Sequence, residues 1–120
     1  MAMSLIATAC SSELTNTRPA STDPSVIATG EQLYQARCAQ CHGTDLRGTD
    51  RGPSHLSQVY RSSHHGDVVF GLAIIRGVSQ HHWSFGDMPA VTGLNDTDIE
   101  AIAAYVRAAQ ASQGLDPYPP

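Results

Sequence analysis

The chain has 120 residues, enough for one small domain with tails, and a formal charge of −4 with seven Arg and no Lys. That balance, without any basic run, argues against nucleic acid and anionic membrane surfaces as partners. No stretch of about 18 apolar residues is present, so no transmembrane helix is expected.

Residues 1–23 read as a residual signal-like segment and tether. Cys10 follows Leu5-Ile6-Ala7-Thr8-Ala9 and precedes two serines, which resembles the end of a bacterial lipoprotein signal. The segment before it lacks a basic region and is too short to export a protein. Two readings stay open: a lipid anchor at Cys10, or a free cysteine in a tail. Residues 11–23 are rich in Ser, Thr and Pro and read as a linker.

The folded domain is expected over residues 24–114. Asp23 is an N-cap and Pro24 occupies the first helical position, so helix one starts there and runs through Val26, Ile27, Leu33 and Tyr34 to Gly43. Residues 44–63 read as loop. A second helix starts near Asp67, carries the stripe Val68, Val69, Leu72 and Ile75, and stops at Gly77. Residues 79–94 read as a second irregular stretch. Asn95 caps the last helix, whose stripe is Ile99, Ile102, Ala103 and Val106 and which ends at Gly114. Residues 115–120 form a Pro-rich tail. The expectation is an all-α fold of three to four helices, with long loops wrapped around a flat cofactor.

Chemistry enters at Cys38-Ala39-Gln40-Cys41-His42. Two thiols one helical turn apart are spaced to form thioethers with the two vinyl groups of a haem, and the following imidazole is placed to bind its iron from the same side. A zinc site would need a second ligand pair, and no cysteine follows Cys41. A thioredoxin-like dithiol would need a strand upstream. Covalent haem c is the reading the motif supports best. Because such haems are attached outside the cytoplasm, it implies export to the bacterial periplasm or the outer face of the membrane.

The second axial position decides between carrier, sensor and catalyst. Met88, followed by Pro89 and 46 residues beyond His42, is the candidate. Thioether sulfur favours ferrous iron and raises the potential relative to a second imidazole. A labile sixth ligand would instead make the chain a haem sensor or a catalytic module.

The ordered set of Gly30, Tyr34, the Cys38–His42 motif, Gly52-Pro53 with Leu56, Met88-Pro89 and Ala104-Tyr105-Val106 resembles the class I cytochromes c over about residues 25–112. The resemblance implies one electron carried between redox proteins, such as dehydrogenase or oxidase subunits, with no substrate chemistry. It implies that Gly30 lets the first and last helices cross closely, with Tyr34 and Tyr105 at the crossing. It further implies that the Pro53 carbonyl accepts the His42 Nδ1–H, that Leu56 contacts the cofactor, and that the Trp83 indole meets a haem propionate. The absence of lysine departs from the mitochondrial type, whose Lys ring surrounds the haem edge.

Six histidines are many for this length. His64-His65 and His81-His82 have three readings: hydrogen-bonding at the haem crevice, incidental exposure, or a secondary copper or zinc site. His55 and His82 are the residues expected to titrate near neutrality if they lie close to a propionate.

Overall fold

The computed structural model describes residues 20–115. Cys10 with its signal-like surroundings, Met1, Met3, most of the tether and residues 116–120 lie outside them. Four helices follow in order: α1 (Pro24–Arg37), α2 (Ala39–His42), α3 (Asp67–Arg76) and α4 (Asp96–Ser112), with a 3₁₀ turn at Gln58–Tyr60. Among the described residues the only extended pairing is the isolated antiparallel bridge between Val78 and Met88. The fold is all-α.

Each end has a local cause. The Asp23 carboxylate accepts from the Ser25 N–H at 2.8 Å, with Pro24 behind it, so α1 starts where a missing donor costs nothing. Asn95 and Asp98 form a reciprocal capping box on α4. Gly77 follows α3 with φ of 74°. The first helix does not run unbroken to Gly43. Cys38 adopts φ −122°, ψ −35°, and the chain restarts as the single turn α2. That break re-aims Cys41 and His42 relative to the axis of α1.

The core sits where α1 crosses α4. A Cβ on Gly30 would lie 1.8 Å from the Ala101 carbonyl oxygen, so only glycine permits this approach. Tyr34 is fully buried there, its ring centroid 5.3 Å from that of Tyr105, and its hydroxyl donates to the Gly43 carbonyl at 2.9 Å. Ile102, Ala104 and Val106 of α4 are fully buried beside it.

The stripe foreseen on α3 does not face the core: Val68, Val69, Leu72 and Ile75 are all exposed, Val68 and Ile75 by 51% and 52%, and it is Ile74 and Phe70, outside that stripe, that pack inward. Val69 and Leu72 face a cleft instead of a helix partner.

Candidate functional site

That cleft is a cavity of about 370 Å³ between α2, α3 and the loop after α3, a volume within the usual range for small-molecule and cofactor sites. Its floor is apolar, built from Val69, Phe70, Ile74 and Ile102. Cys38, Cys41 and His42 line it together with Trp83, Met88 and Pro89. Residues separated by nearly half the chain thus share one wall system.

The local structure fixes His42. Its Nδ1 lies 2.9 Å from the Pro53 carbonyl oxygen. A carbonyl only accepts, so Nδ1 carries the proton and Nε2 keeps its lone pair. Burial holds the His42 pKa below its ordinary value, the Pro53 bond opposing this, so the ring is neutral as a metal ligand must be.

Cys38 behaves unlike a redox dithiol. Burial pushes its thiol up to about 11, against the pull of the Arg37 cation. Dithiol catalysts depend on the opposite shift. Among the described residues, Cys38, Cys41 and His42 do not converge on one metal point either. The pair is arranged to face a cavity rather than each other or an ion.

Met88 is held by its backbone. Its N–H donates to the Val78 carbonyl at 2.9 Å and its carbonyl accepts from the Val78 N–H at 2.9 Å. Val91 N–H then reaches the Ile74 carbonyl, and the Arg37 guanidinium bonds the Thr92 carbonyl. A Cβ on Gly77 would lie 2.5 Å from the Met88 carbonyl oxygen, so the loop closes only over glycine.

Two buried polar atoms in the cavity wall have no partner: the Trp83 indole Nε1 and the His55 Nδ1. The Tyr60 side chain neighbours Trp83 without a hydrogen bond to its indole. Orphaned polar atoms of this kind are costly unless a ligand satisfies them. A haem fits these residues: two thiols for the vinyl groups, a free imidazole nitrogen, a thioether, an apolar floor and an unused indole N–H.

The wall beside His42 differs from expectation. Leu56 packs against the core and does not line the cavity. His55 takes that place, buried and stacked on His42 with centroids 4.1 Å apart and planes 21° from parallel. Burial first, then His42 and Arg107, drive its pKa well below the ordinary range, so it does not titrate near neutrality.

Sequence reading missed Arg107 and Gln110. Both are buried on α4, and both reach the loop between the motif and α3. Arg107 bonds Asp67 Oδ1 at 2.7 Å, the carbonyls of Tyr60 and His65, and Gln110 Oε1 at 2.8 Å. Gln110 Nε2 donates to the His55 carbonyl at 2.8 Å. The two side chains serve as the loop's internal hydrogen-bond partners. A polar pair interrupting the apolar face of α4 was the available signal.

The four paired histidines also gather. His64, His65 and His82 approach one another closely, while His81 stacks on His65 with centroids 6.0 Å apart. His65 has its pKa lowered chiefly by burial.

Comparison with known proteins agrees with this geometry. The family described as Cytochrome c matches residues 27–110. The chain is 32% identical over 94 residues to the cytochrome bc1 complex cytochrome c subunit of Mycobacterium leprae, which covers 69% of this chain and 27% of that protein. The corresponding Mycobacterium tuberculosis subunit gives the same identity. The cbb3-type cytochrome c oxidase subunit CcoP of Rubrivivax gelatinosus is 50% identical over 32 residues, 27% of this chain and 10% of the relative. The chain spans a little over a quarter of the length of the mycobacterial relatives it matches.

Proposed function

The chain belongs to the cytochrome c family, and from that membership we propose an extracytoplasmic carrier of single electrons whose one covalent haem is ligated axially by His42 and Met88. The observation that carries the reading is the shared cavity of Cys38, Cys41 and His42 with Met88. Haem, when bound, supplies a one-electron iron couple.

The chain's own residues do the rest. The Cys38 and Cys41 sulfurs tether the ring, so its retention does not depend on axial ligation. Pro53 orients His42 and raises its donor strength. The Met88 thioether selects for the ferrous state. Val69, Phe70, Ile74 and Ile102 exclude water, and the Trp83 N–H is available to a propionate. A loop fastened at Val78 holds its ligand in place in both oxidation states, so little reorganises on electron transfer.

The partners are redox proteins of the respiratory kind, such as dehydrogenase or oxidase subunits. The matched relatives, a bc1 complex subunit and a cbb3 oxidase subunit, support that class. Docking does not use a lysine ring, because the chain has none. The apolar side chains at the cavity, Val69, Leu72 and Phe85, offer an alternative contact.

Absorption spectra of the ferric and dithionite-reduced protein, matured with haem-attachment machinery and examined with and without CO, test the proposal. A sharp reduced α-band, a weak far-red ferric band and indifference to CO are expected. Met88→Ala should keep the haem, admit CO and lower the midpoint potential, within the span of about 0.8 V that axial ligands command. CO binding by the unaltered protein would shift the reading to a sensor or catalytic module. Absence of covalent haem would end it.

A further inference from the structure

Four imidazoles gather beside the cavity, two of them (His65 and His81) in its lining, and none belongs to the axial pair. His64 and His65 precede α3, and His81 and His82 begin the loop that leads to Met88. We propose that His64, His65 and His82 form a second metal site, a three-imidazole centre for copper or zinc.

The spacing is the first support. One ring nitrogen from each of the three lies within 4.8 Å of the others. His64 Nε2 and His82 Nε2 are 3.4 Å apart. Two nitrogens on one tetrahedral zinc, each about 2.0–2.1 Å from the ion, stand about 3.3–3.4 Å from each other. That pair therefore already has the separation of ligands sharing an ion. It is long for a hydrogen bond between two rings, whose N–H donors usually approach within about 3.2 Å.

The second support is orientation. His65 Nδ1 sits 2.8 Å from the Val59 carbonyl oxygen. Since the carbonyl only accepts, the proton is on Nδ1 and Nε2 carries the lone pair. This is the carbonyl–imidazole pairing that typically stands behind a metal-bound histidine. The backbone below is anchored as well, because the His65 carbonyl accepts from the buried Arg107 guanidinium.

His82 supplies the third support. It adopts φ of 58°, a left-handed conformation rare outside glycine. Its ring packs against both His64 and His65, at centroid distances of 5.3 and 5.5 Å. Two segments 17 residues apart thus place three imidazoles at one point. His81 packs against the group without joining it, its Nδ1 held 2.9 Å from the Ser79 carbonyl oxygen. His64 and His82 are exposed, which leaves the fourth position to water.

The test is equilibrium dialysis of the haem-bearing protein against Zn²⁺ and, separately, Cu²⁺, with bound metal counted by mass spectrometry. One ion per chain at micromolar free metal is expected, together with nitrogen hyperfine structure in the Cu²⁺ electron paramagnetic resonance spectrum. The double variant His64→Ala/His82→Ala should weaken binding by about tenfold or more, and His81→Ala should leave it close to the unaltered protein. The haem spectrum of each variant reports whether the fold is kept. If the double alanine variant loses it, His64→Gln/His82→Gln replaces it with the same expectation. No stoichiometric binding, or binding unchanged in the double variant with its haem spectrum intact, overturns the site and leaves the electron-carrier reading untouched.

Discussion

The α1–α4 crossing and the loop from Gly48 to Gly66 are held together by opposite means. The crossing is apolar and close, with Gly30 against Ala101 and fully buried Tyr34, Ile102 and Val106. The loop has few apolar anchors and is pinned through its carbonyls by Arg107 and Gln110. The first region is specified by shape and tolerates no added volume. The second is specified by directional bonds and tolerates no lost partner.

Volume added at the crossing should produce the largest effect. Gly30→Val places carbon inside the Ala101 carbonyl and should destabilise by about 3 kcal/mol or more, read from urea unfolding of the haem-bearing protein. Near-normal stability would mean that the helices can separate without loss, and the shape argument would go. Removal of the loop's donor should follow closely. Arg107→Met leaves Asp67 and two carbonyls without their guanidinium, and a loss of about 3 kcal/mol is expected. Hydrogen exchange should quicken in residues 55–66 before it quickens in α1; equal acceleration in both would erase the distinction between the two regions.

A pH series sharpens the contrast further. His55 has a folded pKa far below its ordinary 6.5 because burial disfavours its charged form. The unfolded chain therefore binds the proton first, and stability falls as pH drops below about 6.5, by up to about 1.4 kcal/mol per unit for this group. His55→Leu should flatten the dependence of the urea midpoint between pH 7 and 5. An unchanged slope would assign the effect to other groups. The smallest change is expected at the α4 cap, where Asn95→Ala removes the acceptor for the Asp98 N–H and should cost about 1 kcal/mol.

The same division explains what could be read in advance. Asp23-Pro24, Asn95 and Gly77 are local signals and the close approach at Gly30 came from the family resemblance, and each is found in the structure. The motif at Cys38–His42 and the Met88-Pro89 loop indicated the cavity that they now line. The break at Cys38 was not legible, since its neighbours all favour a continuous helix. Leu56 was expected at the cofactor from the family resemblance, yet His55 takes that wall because loop geometry decides which side chain turns inward. Arg107 and Gln110 showed only as a polar pair on the apolar face of α4, and what they hold was not legible, because most of their partners are backbone carbonyls, which leave no trace in a sequence. The gathering of His64, His65 and His82 likewise depends on a backbone angle at His82 that no residue pattern announces.

The fastening of Met88 separates two jobs usually joined in one residue. Its position comes from main-chain bonds to Val78, which any amino acid except proline can make, while its chemistry rests in the side chain alone. The loop behaves as a socket with a replaceable fitting. With Met88 as the ligand proposed above, a single codon change there would exchange the donor atom offered to the cavity without redrawing the path of the chain, and the potential of this scaffold would be retuned in one step.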